Sequence, residues 1–140
     1  MSARFFLDTN LLLYCLDPLD LRKQRIANLL IDEALTKGTG AISYQVCEEF
    51  CNVVLHKLKD EIPAGKLTAF LEAIAFPLNH IDPSPRLFTE AIRIHHQTQY
   101  RFYDSLIIAA AIESGATILY SEDFQHVRQI GPLEIINPFL

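Results

Sequence analysis

The chain has 140 residues, half of them apolar and about a fifth charged, with a net charge of −5. That balance fits a single domain, residues 1–140, and excludes an intrinsically disordered segment. Three cysteines (Cys15, Cys47 and Cys51) are too few and odd in number for a disulfide-stapled secreted scaffold, and the acidic balance argues mildly against a nucleic-acid binder that works through bulk positive charge. That objection weakens if the acids cluster around bound cations, which reverse the local sign.

In chain order, Arg4 to Leu7 is a short apolar run ending at Asp8 and reads as a buried strand. The stretch from Met1 to Asp8 does not read as a signal peptide, because its apolar part is short, is broken by Asp8 and lacks a small-residue cleavage site. Leu11 to Leu16 reads as helical, and Asp17-Pro18 breaks it. Arg22 to Thr36 has helical periodicity through Ile26, Leu29, Leu30 and Ala34 and stops near Gly38. Ala41-Ile42 is a second strand. Ser43 is a good N-cap for a helix running to about Leu58. Pro63 suits the first turn of a helix reaching Phe76. Leu78 to Ile81 is a third strand, Pro85 to Gln97 a helix, and Tyr103 to Ser114 a buried helix stopped by Gly115. Thr117 to Tyr120 is a fourth strand, and Glu134 to Ile136 a fifth at the edge. The longest apolar run, Leu106 to Ile112, is too short to span a bilayer. A reduced, soluble, cytoplasmic protein with no membrane partner is expected.

Strands therefore alternate with helices. Phe5-Phe6-Leu7 and Ile118-Leu119-Tyr120 are continuously apolar, as in strands covered on both faces of a parallel sheet. The expected fold is α/β, with a parallel sheet of four to five strands flanked by helices. Ligands of such sheets bind beyond the C-terminal strand ends, where Asp8 and Ser121-Glu122-Asp123 fall.

The acids are the chemical signal. Asp8 either caps the next turn or works in a site, at about even odds. Asp104 opens the apolar run that follows it and shares a helical face with Ile107, Ile108 and Ala111, so it either complements the helix dipole or needs a partner such as a metal ion. Glu48 and Glu49 border opposite edges of a stripe made by Val46, Phe50, Val53 and Val54, and geometry does not choose between them. Glu122 and Asp123 follow the fourth strand, where one can cap a turn and Ser121 can donate to a neighbouring carboxylate. Each acid alone is weak. Together they offer hard oxygen ligands suited to Mg²⁺ or Mn²⁺ rather than zinc, ions that activate water for attack on a phosphodiester.

Other residues carry less. Cys47 and Cys51, with His56 nearby, lack the remaining ligands of a zinc site and read as buried thiols. His95, His96 and His126 read as solvated or packed. Arg22, Lys23, Arg25, Lys57 and Lys59 read mostly as solvated helix faces, and Arg101, close to Asp104, is the best candidate for contact with a substrate's phosphate backbone. The apolar positions between Leu11 and Leu35 exceed what a small core needs, so they are either core or a partner surface.

Four blocks then resemble, in order and spacing, the PIN-domain family. They are Phe6-Leu7-Asp8-Thr9-Asn10, Ser43 to Phe50, Tyr103-Asp104-Ser105 through Ala111, and Leu119 to His126. The likeness runs from Arg4 to Asn137-Pro138-Phe139 and is greatest to the VapC ribonuclease toxins of bacterial toxin–antitoxin pairs. It implies a three-layer α/β/α fold and a metal-dependent endoribonuclease. Asp8, Glu49, Asp104 and Asp123 would hold one or two Mg²⁺ or Mn²⁺ ions, and Asn10 and Ser121 would keep the acids in place. It also implies an RNA substrate, products with a 3′-hydroxyl and a 5′-phosphate, a homodimer, and an antitoxin that covers the site. Tyr103 stands where many relatives carry Trp, and Val127 where close relatives often carry Gly.

Two other readings compete. A dehalogenase-like phosphatase needs a second Asp where Asn10 stands, and a response-regulator receiver needs an acidic pair at the first strand and a late Lys, which are missing. A non-catalytic module that only binds RNA or protein would be marked by lost acids, and none is lost.

Overall fold

A computed structural model describes residues 3–140, so the first two positions of the leader reading lie outside the described residues. Six strands form one sheet: β1 (Phe5–Leu7), β2 (Gly40–Ser43), β3 (Asn79–Ile81), β4 (Ile118–Tyr120), β5 (Arg128–Ile130) and β6 (Leu133–Ile136). Six α-helices connect or cover them: α1 (Thr9–Leu16), α2 (Leu21–Lys37), α3 (Tyr44–Lys57), α4 (Ala64–Phe70), α5 (Pro85–Thr98) and α6 (Phe102–Glu113). The sheet order is β3-β2-β1-β4-β6-β5. The first five of these pair in parallel, with Phe6 opposite both Ala41 and Leu119, and Leu119 opposite Ile135. The fold is the expected three-layer α/β arrangement.

Continuous apolarity in the strands has the expected cause. All three β1 residues are buried, and Leu119, Ile135 and Ile42 are fully enclosed by helices on the two faces. Local signals set the helix starts. Asp8 accepts from the Thr9 N–H, Asp20 from Lys23, Ser43 from Val46 and Ser84 from Leu87. Gly38 closes α2 in the left-handed region. Gly40 has a different duty: a Cβ there would sit 2.3 Å from the Ala34 Cβ, so its bare backbone lets α2 lie against β2.

Three expectations need correction. The sheet has six strands rather than four to five, because β5 pairs antiparallel with β6 around Gly131. The Glu134 strand is consequently interior, and β5 takes the edge. The helix expected to reach Phe76 leaves α geometry at Leu71 and finishes as a π-helical turn through Ala75.

Topology fixes where chemistry can sit. From β1 the chain moves outward to β2 and β3, then returns to the other side of β1 as β4. The strand order reverses between β1 and β4, the usual place for a ligand crevice in an open α/β sheet. The Asp8 N–H donates to the Tyr120 carbonyl across this gap at 3.1 Å, which holds the two strand ends together.

Candidate active site

Asp8 stands at the bottom of that crevice, and its reading as a cap holds. It caps α1 through Oδ1, 2.7 Å from the Thr9 nitrogen, while Oδ2 accepts from the Ser121 hydroxyl at 2.7 Å. The residue is 4% exposed. Burial pushes its carboxyl up from 3.8 to about 7, and the charges of Asp123 and Glu49 add to the rise. The bonds from Ser121 and Thr9 pull the other way but do not prevail. A buried carboxylate beside two like charges is a group that gains from a cation.

The other acids arrive from separate elements. Asp123 lies three residues beyond β4, and Asn10 Nδ2 donates to its Oδ2 at 3.1 Å. Ser121 Oγ also accepts from the Asp123 N–H, so one hydroxyl ties two acids to the same loop. In α3 the structure separates the two adjacent glutamates. Glu48 is exposed, whereas Glu49 faces the crevice, taking hydrogen bonds from Thr9 Oγ1 at 3.1 Å and from Gln45 Nε2 at 2.8 Å.

Asp104 is placed differently. It lies in the first turn of α6, which has no side-chain cap, and its face shares Ile107, Ile108 and Ala111 with the core. The side chain itself is 30% exposed and accepts from Arg101 Nε at 3.2 Å. Its link to the other acids is indirect: Gln45 Nε2 bridges Glu49 to the Tyr103 carbonyl at 3.0 Å. Among the described residues no three His, Cys, Asp or Glu side chains gather closely enough to hold one ion between them. Each acid rests instead on a neutral or cationic donor, as mutually repelling carboxylates do without a counter-ion. The donor chemistry nevertheless fits a hard divalent cation. Every group is an oxygen ligand, and the buried Asn10 Oδ1 has no hydrogen-bond partner beside them.

A cleft of about 490 Å³ opens over this cluster, lined by Thr9, Asn10, Glu49, Asp123 and also Lys57. Lys57, from the basic helix groups, thus lines the same cleft as the acids. Lys23 is tied down by Glu122 at 2.8 Å, and the Arg22 guanidinium donates to the Phe139 carbonyl, so both are engaged inside the fold. Tyr14 also donates to Glu122, which anchors the residue before Asp123 to α1 and α2. The histidines take structural partners: His95 the Tyr100 carbonyl, His126 the Asn137 N–H. Cys15, Cys47 and Cys51 are free, and burial raises each thiol, that of Cys47 to about 11. Thr9 and Gln45 were not singled out in the sequence. Gln45 carried a faint signal, lying one helical turn before Glu49.

The excess apolar residues before Leu35 divide between core and surface. Leu11 and Leu12 are fully enclosed, whereas Leu21 and Leu29 are exposed on a groove of about 620 Å³ shared with Leu35 and Ile74. No described helix is long and apolar enough to cross a membrane.

The fold and crevice can now be set beside known proteins. No curated protein matches the chain in sequence. Among solved structures it is similar to a toxin–antitoxin complex from Klebsiella pneumoniae, at 18% identity and a TM-score of 0.69 over 98% of both chains. It is similar to VapBC2 from Rickettsia felis, solved with a promoter DNA fragment, at 23% identity and a TM-score of 0.66, covering 94% of this chain and 96% of that one. It also resembles the sarcin–ricin loop cleaving toxin VapC20 from Mycobacterium tuberculosis, at 17% identity and a TM-score of 0.64 over 85% and 89%. At these identities the likeness is one of fold. The family model of the PIN domain matches residues 5–130, and the chain therefore belongs to the PIN domain family.

Proposed function

We propose that the protein is a metal-dependent endoribonuclease, acting as the toxin of a toxin–antitoxin pair. One observation carries this reading: a buried Asp8 whose carboxyl is pushed to about 7 by enclosure and by Asp123 and Glu49, at the strand-order reversal of the sheet. Asp8, Glu49 and Asp123 would hold Mg²⁺ or Mn²⁺, with Asp104 as a fourth acid that turns in from its bond to Arg101. The ion, when bound, supplies an activated water and stabilises charge building on the phosphate. Asn10 and Ser121 hold Asp123 and Asp8 in register, and Thr9 and Gln45 do the same for Glu49. Lys57 in the cleft and the exposed Arg101 would meet phosphates of the RNA. The products would carry a 3′-hydroxyl and a 5′-phosphate.

An antitoxin covering the acidic cleft, a homodimeric assembly and a cytoplasmic setting belong to the same reading. The antitoxin assignment is supported by the similar solved toxin–antitoxin complexes and by the exposed Leu21 and Leu29 beside an apolar groove. The retained acids speak against a PIN-like module that only binds.

The test is incubation of the purified protein with total cellular RNA and Mn²⁺, against EDTA and an Asp8→Asn variant, with the ends of the products mapped. Cleavage that requires both metal and Asp8 is expected. Cleavage that survives either control overturns the mechanism.

A further inference from the structure

Beside the acidic crevice lies a second pocket of about 290 Å³, between the start of α3, the start of α5 and the start of α6. Four aromatic rings, those of Tyr44, Phe88, Phe102 and Tyr103, line it among aliphatic and polar side chains. Phe88 meets Phe102 edge to face at 6.0 Å between centroids, and Phe102 meets Tyr103 in the same way at 5.8 Å. Tyr44 lines it from α3. These rings are not core: Tyr103 is 70% exposed, Phe88 55% and Tyr44 53%. Large flat side chains left on the surface one after another call for a ligand.

We propose that this pocket seats one unpaired nucleobase of a single-stranded RNA, next to the phosphodiester presented to the acids. The inference deepens the nuclease reading and rests on it. Three features select the occupant. First, every base has a π-face, and stacking on aromatic rings is how unpaired bases are held. Second, among the described residues the lining contains no Lys or Arg and one carboxylate, Glu48. That repels a phosphate, and it offers an acceptor to the exocyclic amine of a neutral ring. Third, the volume lies at the small end of ligand sites. It has room for one ring system but not for a partner helix, whose width with side chains is about 10–12 Å.

The pocket is also coupled to the chemistry. Tyr103 immediately precedes Asp104, and its carbonyl accepts from the same Gln45 amide that holds Glu49. Arg101, 87% exposed at the head of the same helix, would meet an adjoining phosphate. A base held against Tyr103 thereby fixes where its own phosphate lies relative to Glu49 and Asp104.

The experiment uses the full chain in EDTA, so that nothing is cut. It measures binding of a fluorescein-labelled short single-stranded oligoribonucleotide of mixed sequence and of the same oligomer without bases. Preference for the base-bearing strand is expected. Tyr103→Ala should weaken it about 5- to 100-fold and Tyr103→Phe should restore it, with molecular mass by light scattering unchanged. Equal affinity for the baseless strand, or indifference to Tyr103→Ala, overturns the proposal. So does a loss of dimer mass in Tyr103→Ala or Phe88→Ala, which would assign the pocket to a second copy of the chain. Cleavage of total RNA with Mn²⁺, run beside it, separates the two readings. Base-dependent binding without cleavage sinks the nuclease and keeps the pocket, whereas cleavage with binding indifferent to Tyr103 does the reverse.

Discussion

The two sides of the crevice are built on opposite principles. On the β1–β4 side, Asp8 is buried and held by two donors, and the same Ser121 hydroxyl orders the backbone of Asp123. On the α6 side, Asp104 is partly open to solvent and leans on an exposed arginine of its own helical turn. The first arrangement is costly to charge and rigid. The second is partly open and holds its acid by one exposed ion pair. The crevice thus has an ordered floor and a more open wall.

That contrast can be broken most severely at the floor. Asp8→Asn should lower metal-dependent cleavage by roughly a thousandfold, while urea denaturation at pH 8 finds the metal-free variant no less stable than the parent, since a buried charge has gone. A marked loss of stability would mean that the charged Asp8 carboxylate is a net stabiliser of the fold, since Asn caps a helix as well as Asp.

The same residue should set the pH dependence of the metal-free protein. Its folded carboxyl is raised from 3.8 to about 7, so between these values the folded state keeps a proton that the unfolded chain has released. Stability should therefore fall as pH climbs from about 4 to about 7, by about 4 kcal/mol from this group, and then level off. Saturating Mn²⁺ should remove much of that fall, because a bound cation offsets the cost of ionisation. A urea-midpoint series across this range, with and without the ion, checks both.

Removing a support rather than an acid should be milder. Ser121→Ala is expected to weaken Mn²⁺ binding by about 10- to 100-fold in calorimetry. Arg101→Ala on the open wall should change stability by less than about 0.5 kcal/mol, because an exposed ion pair contributes little. If Arg101→Ala proved the more damaging of the two, the ordered-floor description would be wrong.

A gain rather than a loss is expected in the loop that carries Asp123. Val127 has a φ of +57°, a region a β-branched side chain adopts only under strain, at the position where the sequence departs from a common Gly. Val127→Gly should raise stability by about 1 kcal/mol in thermal unfolding and leave Mn²⁺ affinity unchanged. A change in affinity would show that the strained turn also aims Asp123.

Most of the scaffold was legible because apolar continuity and capping are local signals. Phe5 to Leu7 and Ile118 to Tyr120 read as strands covered on both faces, and Ser43 announced α3. The edge strand β5 was not legible, since Arg128-Gln129-Ile130 carries one core residue, and its pairing depends on a reversal at Gly131 with a φ of +56°. The π-helical turn at Leu71 left no pattern either, because Leu71 to Ala75 is ordinary helical sequence. In the site, Asp8 could be read from its place at a strand end. The choice between Glu48 and Glu49 could not be read from helical phase, because it is decided across the fold by the Thr9 hydroxyl.

The hydrogen bond from Asp8 to the Tyr120 carbonyl has a consequence for the order of events during synthesis. It joins the first strand to one made more than a hundred residues later, and the supporting Ser121 hydroxyl arrives only after that. Parallel pairings of such long reach form late and slowly. A growing chain still on the ribosome, lacking β4 and the loop beyond it, has no assembled acid cluster. Such a chain cannot bring Asp8, Ser121 and Asp123 together until the strand and loop around Ser121 have been made.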